Sequence, residues 1–188
     1  TGSHQQYLLR RGFDPDRLES DWGLLSTGPI SLLDGKDYSH RVIAPIRWDG
    51  SIVSFQGRDA TDKHKLKYMA CTQEREDIHH KEILYGDQSA WKDVGICVEG
   101  ITDVWRLGKR SCATFGIKYT AKQLRLLAKL FSRLFIIYDD EPQAMKQAYN
   151  LKIDLEFRGT DAEVISIVGD PGGLKQADAD YLIKQLLI

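Results

Sequence analysis

Only three cysteines occur in 188 residues, Cys71, Cys97 and Cys112, and no two of them share a Cys-x-x-Cys spacing. That excludes a zinc ribbon or a disulfide framework within the chain. Cys97 and Cys112 fall in apolar runs and are expected as reduced core residues of a cytoplasmic protein. An excess of either charge is also missing: 26 basic residues face 27 acidic ones, for a net charge of −1. No global field therefore recruits a polyanion, and any such site must be local. The longest charge-free run, Trp22 to Leu33, falls short of the roughly 18 apolar residues that span a bilayer, so no membrane partner is expected. Repeats, low-complexity tracts, a P-loop, a glycine-rich dinucleotide turn and Ser or Cys nucleophile signatures are all absent. His79-His80 is an adjacent pair without the spacing of metal ligands. There is no initiator Met, and Thr1-Gly2-Ser3-His4 reads as a tag remnant on a piece of a longer protein.

What is present is a folding composition, 42% hydrophobic and 28% charged, with its organisation written in periodicity. Residues 7 to 22 are helical in pattern, with Asp14-Pro15 as an N-cap and first-turn proline. Residues 41 to 58 read as two strands around Asp49-Gly50. A further strand is expected near Lys65 to Met69, then a helix or loop to Gly86. After Trp91 strands alternate with helices. The strands are expected at 94–98, 111–115, 134–138 and 162–168, and the helices near 103–108, 121–132, 143–157 and 177–187. Thr120 and Gln123 have capping-box spacing. The expected fold is α/β: a mostly parallel sheet flanked by helices, preceded by a smaller mixed α+β lobe. The boundaries are a tag remnant at 1–4, the N-terminal subdomain at 5–90 and the sheet domain at 91–188.

In such a sheet ligands bind at the carboxyl ends of the strands, and there this sequence places acids. Glu99-Gly100 follows the first strand, and Asp103 lies one turn into the next helix. Asp139-Asp140-Glu141-Pro142 follows the third strand; Pro142 suits a first helical position and biases Glu141 to extended backbone, so Asp139 and Glu141 flank one space. Asp170, in Gly169-Asp170-Pro171-Gly172-Gly173, follows the fourth. Like charges so gathered need a cation, and hard oxygen donors select Mg2+ or Mn2+ over zinc. The blander reading is that each acid opens a helix and meets its dipole. Asp178 and Asp180 are read that way, as openers of the last helix.

Basic residues form two rows. On a strand, Lys63, Lys65 and Lys67 would share one face and present it to phosphates, or else guard an edge strand against aggregation. Lys122, Arg125, Lys129 and Arg133 lie at helical spacing opposite Leu124, Leu127, Leu130 and Phe131, which reads as the solvated face of an amphipathic helix.

The spacing of Glu99-Gly100, Asp103 and Asp139-x-Glu141 resembles the Toprim domain shared by primases, topoisomerases and several nucleases. Tyr7 to Phe13, Arg41-Val42-Ile43-Ala44-Pro45-Ile46, Gly57-Arg58, Lys67-Tyr68, His80-Lys81 and Leu84-Tyr85-Gly86 are similar in order and spacing to the catalytic core of bacterial and phage DnaG-type DNA primases. The resemblance covers nearly the whole chain. It implies a Toprim fold and synthesis of short RNA primers from ribonucleoside triphosphates on single-stranded DNA. It further implies a replicative helicase and a zinc-binding module outside this chain as partners. Residue by residue, Glu99 would be the catalytic acid or base. Asp139, Glu141 and Asp170 would bind metal with Asp103 in support, and Arg41, Arg58, Lys65, Lys67, Tyr68 and Lys81 would line the path of nucleic acid and nucleotide.

Two departures qualify the resemblance. Glu141 stands where the family has a second aspartate, lengthening the arm by one methylene, and Gly172 stands where it has another acid. The alternatives these leave are a Toprim nuclease, which the N-terminal lobe argues against, and a non-catalytic nucleic-acid-binding or replisome module.

Overall fold

In the computed structural model, which describes residues 2–187, the chain packs as two compact units, Thr1–His79 and His80–Ile188. The hand-over comes earlier than residue 90, because segment 80–90 is bound into the second unit. Gln123 Nε2 donates to the Ile83 carbonyl at 2.9 Å and Thr120 Oγ1 to the Lys81 carbonyl at 2.8 Å.

The first unit opens with two helices, α1 (Ser3–Arg10) and α2 (Pro15–Trp22). Asp14 caps α2: its Oδ1 accepts from the backbone N–H groups of Asp16 and Arg17, both at 3.1 Å, with Pro15 at the first helical position. Asp14→Ala should lower the stability of the fold by about 1 kcal/mol; an unchanged urea midpoint would count against the cap. Four strands follow as a sheet in the order β1 (Leu25–Ser26), β4 (Arg41–Trp48), β5 (Ser51–Asp59), β6 (Tyr68–Ala70), while β2 (Leu32–Leu33) and β3 (Lys36–Asp37) pair as a separate hairpin. The β4–β5 link is the expected two-residue turn: Asp49 and Gly50 both have positive φ, 48° and 80°. This matches the right-handed twist of the paired strands. Val42, Ala44 and Ile46 alternate along β4 into the core.

The second unit is the expected α/β layer. Its five-stranded sheet runs β11 (Asp161–Val164), β10 (Arg133–Ile136), β8 (Val94–Val98), β9 (Ser111–Ala113), β7 (Tyr85–Gly86). All neighbours are parallel except β7 and β9. Helices α3 (Ile101–Leu107), α4 (Ala121–Leu130), α5 (Pro142–Glu156) and α6 (Gln176–Leu186) connect or follow the strands. Near-continuous apolar runs make the strands: Ile96, Cys97, Val98, Leu134, Ile136 and Cys112 are fully buried. All three cysteines are free and buried. The Thr120–Gln123 capping box opens α4, with the two reciprocal bonds at 3.1 and 3.0 Å.

Two expected rows of cations change. Lys122, Arg125 and Lys129 are exposed on α4 as expected, but Arg133 starts β10 and pairs with Asp161 and Glu163. Lys63, Lys65 and Lys67 are exposed in an irregular segment ahead of β6, so they share no strand face. The cause is Asp59, whose carboxylate accepts from the Thr61 N–H, the Thr61 hydroxyl and the His64 N–H. Those local bonds offer the backbone an alternative to the ladder.

Candidate acidic site

The order β11-β10-β8-β9 places a topological switch point between β8 and β10: from β8 the chain crosses to β9 on one side, and from β10 to β11 on the other. In open sheets of this kind a ligand crevice forms at such a point, outside the carboxyl ends of the strands. Glu99 follows β8, and Asp139 lies beyond the end of β10. The two are joined directly, since the Asp139 backbone N–H donates to Glu99 Oε1 at 2.9 Å.

Glu99 is half-buried, and its carboxyl is pushed up to about 7. Burial is the main cause, and the charges of Asp139, Glu141 and Asp170 add to it. Glu141 is exposed at the N-cap of α5, extended at φ −120° and followed by Pro142 at the first helical position. Its N–H donates to the Asp139 carbonyl at 2.7 Å. Asp170 stands at the N-terminal position of a short 3-10 turn, Pro171–Gly173, without a side-chain capping bond, and the loop before it is tied to Asp139's neighbour by the Asp140 N–H on the Gly169 carbonyl at 3.0 Å. The charges of Asp139, Glu141 and Asp170 thus all reach Glu99.

Asp103 differs from these. It is 5% exposed, and its carboxyl also rises to about 7, chiefly through burial, with Asp139 and Asp170 contributing. Both oxygens accept backbone N–H groups, Oδ2 from Gly100 at 2.9 Å and Oδ1 from Gly172 at 3.0 Å.

The donor set fits a hard divalent cation. The strongest influences on Glu99 after burial and the Asp139 N–H are three charges of its own sign, which a bound cation would offset. Among the described residues, no three of these carboxylates bring one oxygen each within 4.8 Å of one another. They therefore do not form a closed cage of protein ligands.

The sequence gives no warning of the loop after β9. Phe115 takes a left-handed φ of 59°, uncommon for a bulky side chain, and the Gly116 N–H donates to the Glu99 carbonyl at 2.7 Å. The lysine expected to meet nucleotide, Lys81, ties this loop down. Its half-buried ammonium donates to the carbonyls of Thr114, Phe115 and Lys118 at 2.8, 3.3 and 2.7 Å. Burial pulls its pKa below the ordinary lysine value.

In the first unit the two arginines are not surface cations. Arg41 is 1% exposed, and its guanidinium donates to the carbonyls of Gly57, Leu66 and Lys67. Arg58 is buried between two rings, 4.9 Å from the Tyr68 centroid and 5.4 Å from that of Tyr7, with Nε donating to Tyr7 Oη at 2.8 Å. Burial opposes its charge, but Tyr68 and Tyr7 hold its pKa above the ordinary value. Lys65 and Lys67 remain exposed. Arg41 therefore shapes the loop that carries them. Arg41→Ala should cost about 3 kcal/mol of stability, since three carbonyls lose a charged donor and a cavity opens. An unchanged denaturation midpoint would count against this structural role.

No protein-family model matches the sequence, and no curated protein is significantly similar to it. Solved structures do match. A DnaG primase catalytic domain bound to single-stranded DNA aligns at a TM-score of 0.79 and 20% identity, over 98% of this chain and 70% of its own. The primase of Aquifex aeolicus, solved with its zinc-binding and RNA polymerase domains, aligns at 0.79 and 21% identity, over 96% of this chain and 55% of its own. The primase fragment of the bacteriophage T7 primase-helicase protein aligns at 0.68 and 18% identity, over 96% and 72%. The chain therefore has the fold of the DnaG primase catalytic cores.

Proposed function

We propose that this chain is the catalytic core of a primase-type nucleotidyltransferase, which makes short RNA primers from ribonucleoside triphosphates on single-stranded DNA. The observation that carries the reading is Glu99: a carboxyl at the switch point, raised to about 7 among like charges, in a chain with the primase-core fold. A group with a pKa near the operating pH is suited to proton transfer. In the proposed reaction the hydroxyl oxygen at the primer end bonds to the α-phosphorus of the incoming nucleotide. Its proton passes to Glu99, and pyrophosphate leaves.

Asp139, Glu141 and Asp170 would hold Mg2+ or Mn2+, which when bound neutralises phosphate charge and polarises the phosphoryl group. The second unit would then be a Toprim domain and the first the basic subdomain of a primase core. Lys65 and Lys67 would hold the template backbone by phosphate contacts, which position without reading sequence. Lys81, Arg41, Arg58 and Tyr68 would act by shaping loops. A zinc-binding module and a replicative helicase, in the cytoplasm of a bacterium or a phage-infected cell, are the proposed partners. They are supported by the Aquifex primase, solved with its zinc-binding domain, and by the primase fragment of the T7 primase-helicase protein. Among the described residues no helix is long and apolar enough to cross a membrane.

The test is incorporation of labelled ribonucleotide on mixed-sequence single-stranded DNA with Mg2+ or Mn2+. Short RNA is expected. Cleaved template would replace the reading with a hydrolase, and intact template without RNA would leave this chain without the proposed activity.

A further inference from the structure

The residues at the acidic crevice divide by what their oxygens do. Glu99, Asp139 and Asp170 are partly open and Glu141 is exposed, whereas Asp103 is closed in and spends both oxygens on backbone. Its two donors lie far apart in sequence. Gly100 precedes α3 and follows Glu99, while Gly172 lies in the turn that begins at Asp170, 69 residues from Asp103. In that turn Pro171 has no N–H to offer, and the Gly173 N–H is used internally on the Asp170 carbonyl at 3.1 Å. The buried Gly172 N–H is the donor that docks the turn on α3.

We infer that Asp103 is a positioning residue and not a metal ligand: its carboxylate clamps the residue after Glu99 to the turn carrying Asp170, and so fixes where Asp170 stands relative to Glu99 and Asp139. This rests on reading the acids as a divalent-cation site, and it assigns which acids would hold the ion and which one sets their geometry. A carboxylate with one backbone N–H on each oxygen and almost no exposure is committed to the chain. Losing it would loosen the Asp170 turn at Gly172, where the Gly169 carbonyl still holds the loop before it, while leaving Glu99 bound to the Asp139 N–H. Gly172 takes part through its backbone, so the absence of an acidic side chain at this position leaves the clamp intact.

The test is Mn2+ binding to the whole chain, followed by the electron paramagnetic resonance of free Mn2+. Asp103→Asn keeps the shape but turns an NH2 group towards one of the two N–H donors. It should weaken Mn2+ binding about tenfold, the range for residues that support a ligand. Asp170→Ala should weaken it at least as much, and the double variant should bind no more weakly than Asp170→Ala alone, because the two act as one unit. Amide exchange should accelerate at Gly100 and Gly172 in Asp103→Asn and stay protected in the β8 and β10 core, which also shows that the variant folds. Asp103→Glu, charged but too long for the clamp, should resemble Asp103→Asn. Wild-type Mn2+ affinity in Asp103→Asn, or losses that multiply in the double variant, would overturn the inference and make Asp103 irrelevant or a ligand in its own right. A chain with the expected Mn2+ pattern that makes no RNA would overturn the primase reading and leave the role of Asp103 standing.

Discussion

Replacing Glu99 by Gln is expected to lower ribonucleotide incorporation by roughly 100- to 10,000-fold, the usual contribution of a positioned acid or base. The substitution is nearly isosteric. Gln retains an oxygen that can accept the Asp139 N–H, now held at 2.9 Å, so the strand ends should stay in place. What disappears is a proton-transfer group poised at about 7 by burial and by Asp139, Glu141 and Asp170. In the wild type the rate should fall as pH drops below the pKa of Glu99, because the protonated carboxyl cannot take up the hydroxyl proton; a bound cation would move that limb to lower pH. The Gln variant should lose the limb with the rate. A variant within tenfold of wild type, with the same pH profile, would remove Glu99 from the chemistry.

The second large effect is on stability. Glu99 and Asp103 have ordinary values near 4.5 and 3.8, and in the fold both rise to about 7. Between about pH 4 and 7 the folded chain therefore binds more protons than the unfolded chain, so stability falls as pH rises through that window. Asp34, Asp37 and Asp59 are shifted the other way, Asp34 and Asp37 mainly by hydrogen bonds, and Asp59 because its bonds to Thr61 and His64 outweigh burial. Their contribution is lost only below about pH 4, outside this window. With a chelator present, the melting temperature should drop between pH 5 and pH 8. Mg2+ or Mn2+ should recover much of the loss at pH 8, because a cation favours the ionised carboxylates and binds only the folded site. Glu99→Gln should make the chelated profile shallower, leaving the part that Asp103 contributes. A melting temperature that rises across this range, or ignores divalent ions at pH 8, would argue that the acids do not share a crevice.

These expectations draw unequally on sequence and structure. The alternation of apolar strands with helices, the Asp49-Gly50 turn, the Thr120–Gln123 box and the start of α5 at Pro142 were legible because each depends on neighbours a few residues away. So was the arrival of Glu99, Asp139 and Asp170 at one edge, since parallel strands joined by helices end on the same side. Short elements escaped: β1, β2 and β3 have two residues each, too few for any periodicity.

Which charges face solvent was decided by tertiary structure alone. Arg41 and Lys67 look alike as cations in a sequence, yet one is buried on the carbonyls of Gly57, Leu66 and Lys67 and the other is exposed. Arg58 finds Tyr7 at a separation of 51 residues, and Asp103 finds Gly172 at 69. A long polar side chain is buried only where distant backbone or rings happen to supply its bonds, because burying it unbonded costs more than folding can return. The sequence by itself determined that acids would meet at the end of a parallel sheet. Only the packing of α3 on the Asp170 turn decided which of them was left open to the crevice and which was taken up in holding the others there.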